Sequence, residues 1–519
     1  MSTTLKKEDA NQLSIIIDEQ NDTVAVAKQE ILKGSLLSFR NDMIEIQQDI
    51  KKGQRFAVCD SPEGEYVYQY GYAFGKSKGI QKGALVNGMN VVPEIPDSFE
   101  EDFQDPRKTE YIEKYIQKTF QGYIRSDGRV GTRNFYLVIP TSMCASQTAQ
   151  QIEKLIHKKT TLDDYSNLDG VLALSHTEGC GCDSTISIDR LLKVIEGYVR
   201  HPNVCGCFIL DLGCEQTNYE KVSSYLAKFE HDSVKPIDWM TVEESGGVAK
   251  TRQKACEIIL SRLKKVSNID RQACLLEKLI VGTECGASDT FSGITANPLI
   301  GRVVDKVVWG KGRVILSEIP EMLGTYSMLL SRFRSLEIAQ KFQQALDWYE
   351  DLARRLHLTL DGNLVPKNIE GGLINKYMKS LGAVLKGGST VIEDVIDYAD
   401  PVTKQGLTIM QGPGGDLESV TGMVASGANM VLFSTGQGTP TGNAICPVIK
   451  VATRTELFQK LNDDLDFNAG LLMDQDVSLD GLGDELLSLM LKISSGQQSK
   501  SELLEQRQFQ IWTAGKLPL

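Results

Sequence analysis

The chain has 519 residues, 41% of them hydrophobic and 24% charged, with a net charge of −12. Such a length exceeds one ordinary core, so two or three domains are expected. The acidic balance argues against a nucleic-acid or anionic-membrane partner, either of which needs a basic footprint. No apolar run approaches the roughly 18 residues of a membrane span, and the polar start MSTTLKKEDANQ lacks the apolar stretch of a secretory signal. A cytoplasmic location is expected. The eleven cysteines then read as packing groups, metal ligands or catalytic thiols, not as a disulfide framework.

In chain order, residues 1–92 predict a small all-β unit. Short apolar stretches alternate with Gly turns at Gly34, Gly53, Gly64 and Gly83, and no helical stripe appears. Residues 93–118 are acidic and irregular, the composition of a linker. A β-unit so tethered is expected to move, and to close over a substrate bound further along the chain. From residue 119 onward, apolar runs at 135–139, 170–174, 207–212, 279–282, 314–316, 407–410 and 430–433 alternate with helical stretches. Strands buried on both faces and separated by helices imply parallel α/β sheets. The helix-rich stretch 327–357 suggests a division into two Rossmann-like halves, 119–330 and 331–519.

Several predicted strands run directly into chemistry. Run 135–139 leads to Cys144, and 170–174 to His176 and Cys180. Run 207–212 leads to Cys214 and Glu215, and 279–282 to Cys285 and Asp289. Ligands of open parallel sheets bind outside the carboxyl ends of the strands. Thiols, imidazole and carboxylates gathered on one rim are what a transition metal needs. The competing reading is that cysteine often fills such turns as a small apolar residue. Cys59, Cys205, Cys256, Cys274 and Cys446 are expected to pack in that way. Gly-rich loops at 412–416 and 434–443 offer backbone N–H groups and hydroxyls suited to a carboxylate or polyol. No phosphate-loop or dinucleotide fingerprint accompanies them, which disfavours a nucleotide cofactor.

Segments 123–134 (YIRSDGRVGTRN), 176–180 (HTEGC), 212–215 (LGCE), 284–289 (ECGASD), 291–298 (FSGITANP), 433–440 (FSTGQGTP) and 466–470 (DFNAG) together resemble the altronate/galactarate dehydratase family. Sulfolactate sulfo-lyase is a relative of that family. The N-terminal unit resembles the family's β-clip (SAF) domain, although Gln20, Asn21 and Gln54 stand where the family often has histidines. The resemblance implies a hydro-lyase converting a sugar acid to a 2-keto-3-deoxy acid with ferrous iron or an iron–sulfur cluster. Segment 318–322 (EIPEM) looks closer to altronate dehydratases than to galactarate ones, which implies D-altronate as substrate and 2-dehydro-3-deoxy-D-gluconate as product. Galactarate dehydration, sulfite elimination from sulfolactate and non-catalytic sugar binding are the alternatives.

On this reading Cys144, Cys180, Cys214 and Cys285 hold iron. His176 is the first candidate for the base that removes the C2 proton, with Glu215 and Asp289 as alternatives. Arg133, Asn134, Ser288, Thr295, Asn297, Thr435, Gly436 and Thr439 are the expected substrate contacts. A homo-oligomer with a small-molecule partner completes the expectation.

Overall fold

The structure, a computed structural model, describes residues 7–39, 42–96, 103, 108–180, 185–229 and 235–513. In the N-terminal unit the strands are short and lie in three small sheets. The largest joins Ser14–Ile15, Val24–Ala27, Arg55–Ala57 and Leu85–Val86, all antiparallel. Glycines reverse the chain between strands. At Gly83, φ is +80° and a Cβ would fall 1.9 Å from the Glu45 carbonyl oxygen, so no side chain fits there.

This unit is docked, not loosely tethered. Arg55 is 1% exposed and donates to Gln69 at 2.6 Å, to the Thr290 hydroxyl at 3.0 Å and to the Gly372 carbonyl at 2.5 Å. Met378 and Leu381 enter the same apolar cluster as Val67, Tyr70 and Phe74. A buried, shared guanidinium is costly to expose, which opposes the freely closing lid expected from the acidic linker. Of that linker, residues 97–102 and 104–107 lie outside the described residues. Its end forms a helical turn, Glu113–Ile116, with Tyr115 buried.

The next unit is built on four parallel strands in the order Gly170–Ala173, Phe135–Pro140, Val204–Asp211, Ile237–Thr241. Strand alternation divides its central residues between two cores. Tyr136, Val138, Phe208 and Leu210 pack with helices Met143–Lys159 and Val248–Val266. Leu137, Ile139, Cys207 and Ile209 pack with helix Thr185–Arg200. An antiparallel ribbon of Val130–Gly131, Thr119–Ile124 and Gln272–Leu275 closes the unit.

The last unit holds seven parallel strands, in the order Ile392–Ile396, Gly406–Met410, Arg313–Leu316, Ile280–Gly286, Met430–Thr435, Val448–Ala452, Phe467–Asn468. The seam between the α/β units therefore lies near residue 276, not at 330. Strands Ile280–Gly286 and Arg313–Leu316 pair with the later strands, and the helix-rich stretch is an excursion within one sheet. Partner choice is tertiary, and periodicity carries no mark of it. The two units share an apolar core: helix Thr185–Arg200 meets helix Asp416–Ala425 so closely that a Cβ on Gly197 would lie 2.3 Å from the Ala425 carbonyl oxygen. Ile280–Gly286 comes first in the chain, and later strands add on both sides of it. The crevice beyond its carboxyl end is thus the switch point where such sheets bind ligands.

Candidate active site

The expected four-thiol rim divides in two. Three of its cysteines belong to the four-stranded unit: Cys144 and Cys214 are exposed and Cys180 half-buried. Cys144 and Cys180 share a hydrogen bond, and burial, then Cys144, raises the Cys180 thiol above its ordinary range. The polar groups around them are spent on loop closure. Nε2 of His176 lies 2.7 Å from the Pro140 carbonyl oxygen, a contact that only an N–H satisfies. Nδ1 is then left to accept the Glu178 N–H at 3.1 Å. With both ring nitrogens engaged by backbone, His176 is arranged as a clamp and not as the proton acceptor expected of it.

Glu215 likewise accepts from the Leu212 and Gly213 N–H groups and from the Thr141 and Ser142 hydroxyls. Burial pushes its carboxyl up, but these donors outweigh it and hold the group below the usual range. A carboxylate so held is a poor base at neutral pH.

Cys285 sits elsewhere, at the end of the central strand of the larger sheet. Its Sγ lies 3.0 Å from Glu321 Oε2 and 3.0 Å from Lys386 Nζ. Its N–H donates to Glu318 Oε2, which also takes Lys386 at 2.6 Å. Lys379 pairs with Glu321 at 2.7 Å. Glu318, 0% exposed, holds φ +72°, a left-handed conformation that costs a non-glycine residue about 1–3 kcal/mol and clusters at functional sites.

The charges in this centre pull one another apart. Burial, then Glu321, lifts Glu318 to about 7. Glu321 is raised by burial, but Lys379 and Lys386 overcome that and hold it low. Burial, then the neighbouring Glu318, drives Glu284 well up. Asp416, brought in by the Gly loop 412–416, is raised to about 6, mainly by burial. A cleft of about 370 Å³ lined by Cys285, Glu321, Lys379, Asn368 and Asp416 opens onto the centre.

A thiol and two carboxylates make a donor set for iron or zinc. Cys285, Glu318 and Glu321 are the one group of three such donors within 4.8 Å of one another among the described residues. Glu318 Oε1 and Glu284 Oε1 are buried with no hydrogen-bond partner among those residues, which leaves lone pairs for a cation. Lys386 supplies the positive charge in this structure. The residues fit a divalent metal.

A second cleft of about 310 Å³ adjoins, lined by Lys52 of the β-clip, Asp289, Phe291, Lys367, Gln437 and Arg454. Asp289 is fixed within it by Ser292, Thr453 and Arg454 and is raised chiefly by burial.

Most expected substrate contacts are consumed internally. Arg133 is held by Glu502, Ile493 and Gln497, and Asn134 by Arg125 and Asn167. Thr295 donates to Phe291 and Thr453 carbonyls, and Asn297 bonds Gly382 and Ser434. Thr435 accepts the N–H groups of Gly438 and Thr439, while the carbonyls of Ser288 and Gly436 hold Asn368 and Arg454. These residues shape the loops around the clefts. Glu318, Glu321, Lys379, Lys386 and Asp416 were missed as site residues. Their signal was two carboxylates three apart just past a strand, and an acid ending a Gly-Pro-Gly-Gly loop.

Three family models match in chain order: the altronate/galactarate dehydratase SAF domain over residues 13–94, the D-galactarate dehydratase/altronate hydrolase second domain over 122–267, and the D-galactarate/altronate dehydratase C-terminal domain over 276–517. An altronate dehydratase of Bacillus subtilis is 32% identical over 508 residues, covering 97% of this chain and 99% of that protein. An altronate dehydratase of Escherichia coli is 30% identical over 506 residues, covering 95% and 98%. A galactarate dehydratase (L-threo-forming) of Escherichia coli is 30% identical over 465 residues, covering 88% of each chain. The chain belongs to the altronate/galactarate dehydratase family and is a hydro-lyase.

Proposed function

We propose that this hydro-lyase dehydrates D-altronate to 2-dehydro-3-deoxy-D-gluconate in the crevice at the switch point of the larger sheet. The observation that carries the site is the buried set of acids and lysines around Cys285, whose proton affinities are pushed apart. Environments that separate titratable groups in this way assign acid and base roles. The substrate favoured is altronate because the altronate dehydratases match over nearly the whole chain, and the galactarate dehydratase over less of it.

Lys52, Lys367 and Arg454 offer positive charge to the substrate carboxylate at the outer cleft. Asp416, near 6 and lining the inner cleft, takes the proton from C2. Lys379, on the same cleft wall, stabilises the enolate charge that develops. Glu284, which burial drives well up, holds the proton for the hydroxide leaving C3. Ferrous iron bound by Cys285, Glu318 and Glu321 would act as a Lewis acid on substrate oxygens. Purified, iron-loaded protein is to be offered D-altronate, galactarate and sulfolactate, with 2-keto acid and sulfite measured. Fastest keto-acid release from altronate is expected. Turnover of galactarate or sulfolactate without altronate would overturn the assignment.

A further inference from the structure

Away from the Cys285 centre, a cleft of about 690 Å³ opens between the two α/β units. One wall is helix Thr185–Arg200 and the segment following Asn218. The other comes from Trp348, Asp397 and Gln411. Arg190 lines the cleft and is 4% exposed. Its guanidinium lies 3.4 Å from the Trp512 ring centroid, with Trp348 at 5.4 Å and Tyr398 at 5.8 Å. Stacking uses the face of the guanidinium and leaves its edge for hydrogen bonds. At least one donor of that edge is not used: Nη1 is buried with no hydrogen-bond partner among the described residues. Buried guanidinium groups are ordinarily paired.

The carboxylates nearby do not answer this need. Asp189 and Asp397, both on the cleft wall, are taken by Lys193 at 3.5 and 2.7 Å, and Asp400 joins them at 2.9 Å. Lys221 and Lys228 also line the cleft, and neither makes an ion pair among the described residues. Around these cations the walls are apolar and aromatic: Ile186, Leu192, Tyr225 and Trp348. Asp397 and Asp189 act on Arg190 only through space, and Arg190, Lys221 and Lys228 form no ion pair among the described residues. One planar fork with two ammonium groups suits a phosphate better than a single carboxylate. The rings suit a flat apolar body beside it.

We propose that this cleft is a second ligand site, separate from the Cys285 centre, for a small organic phosphate with a flat apolar body, held by Arg190, Lys221 and Lys228. Phenyl phosphate is the probe. Its binding to the full chain can be followed by calorimetry and by tryptophan fluorescence, since Trp348 and Trp512 flank Arg190. Saturable binding is expected, weakened roughly tenfold by the double variant Lys221→Ala/Lys228→Ala and by Arg190→Met, each removing charge-assisted bonds. Saturating sugar acid should leave it unchanged. If Arg190→Met fails to fold, the lysine variant on the open wall decides. Equal affinity in wild type and the double variant would overturn the proposal, and so would displacement by the sugar acid. Benzoate bound as tightly as phenyl phosphate would overturn the phosphate class. Inorganic phosphate bound as tightly would overturn the role of the aromatic walls.

Discussion

The loops around Cys144, Cys180 and Cys214 and those around Cys285 follow the same sequence grammar, a buried strand delivering a thiol beside a carboxylate, yet they differ physically. In the first region the imidazole and the carboxylate beside Cys214 are held by local backbone groups. His176 closes onto Pro140 and Glu178, and Glu215 onto the turn that carries it. In the second, Glu284 on strand Ile280–Gly286, Glu318 and Glu321 just past strand Arg313–Leu316, and the lysines at 379 and 386 are forced together out of water. Local satisfaction makes a rigid loop. Acids and lysines crowded together from distant parts of the chain push one another's proton affinities apart, the condition that acid–base catalysis draws on.

The sharpest way to break this comparison is to replace one titratable side chain in each region by its neutral amide-bearing counterpart. Asp416→Asn is expected to lower kcat by roughly 10²–10⁴, the range for losing a general base, with the far-UV circular dichroism unchanged. His176→Asn should instead lower stability by about 1–3 kcal/mol through unsatisfied buried backbone groups and leave kcat within a few-fold. A loss of turnover in His176→Asn as deep as that of Asp416→Asn, at normal stability, would return the base to the four-stranded unit.

Metal content separates the regions independently. Cys285→Ser should reduce iron retained after anaerobic purification, and the double variant Cys144→Ala/Cys180→Ala should retain it. Chelation should abolish turnover of the wild type, because a Lewis acid contributes several kcal/mol to such an elimination. The opposite pattern, with iron lost only in the double variant, would place the metal on the exposed thiols. A charge-transfer band near roughly 400 nm lost with it would identify a cluster there.

Much of the fold was legible because strands of parallel sheets are continuous apolar runs. Runs 135–139 and 430–433 are recovered as Phe135–Pro140 and Met430–Thr435. Edge strands such as Ile237–Thr241, half-exposed along most of their length, carry a weaker signal and were missed. The β-clip was readable from its glycines, but its docking through Arg55 was not, since one arginine in a strand has no pattern. The site followed the same rule. Motif segments marked the loops that build the crevice, and the lysines at 379 and 386 enter it from helical segments whose sequence reads as surface. Cys59, expected to pack, is exposed, which spacing alone had no means to tell.

The smallest expected effect tests whether the docked β-clip takes part in the second region's chemistry. Lys52 reaches the outer cleft and pairs with Glu456 at 2.5 Å, their side chains 34% and 62% exposed. A pair so open to solvent contributes no more than about 1 kcal/mol to stability, so Lys52→Ala should scarcely move the melting temperature. If Lys52 meets the substrate carboxylate, its loss should raise KM roughly tenfold with kcat nearly unchanged, the signature of binding shared by ground and transition states. Glu456→Gln is the matched control, because it breaks the same ion pair and leaves the lysine in place. KM should then fall or hold steady, since the ammonium is freed for the substrate. An equal rise of KM in both variants would mean that the pair only braces the β-clip against the larger sheet, and that the cations of Lys367 and Arg454 suffice for the anion.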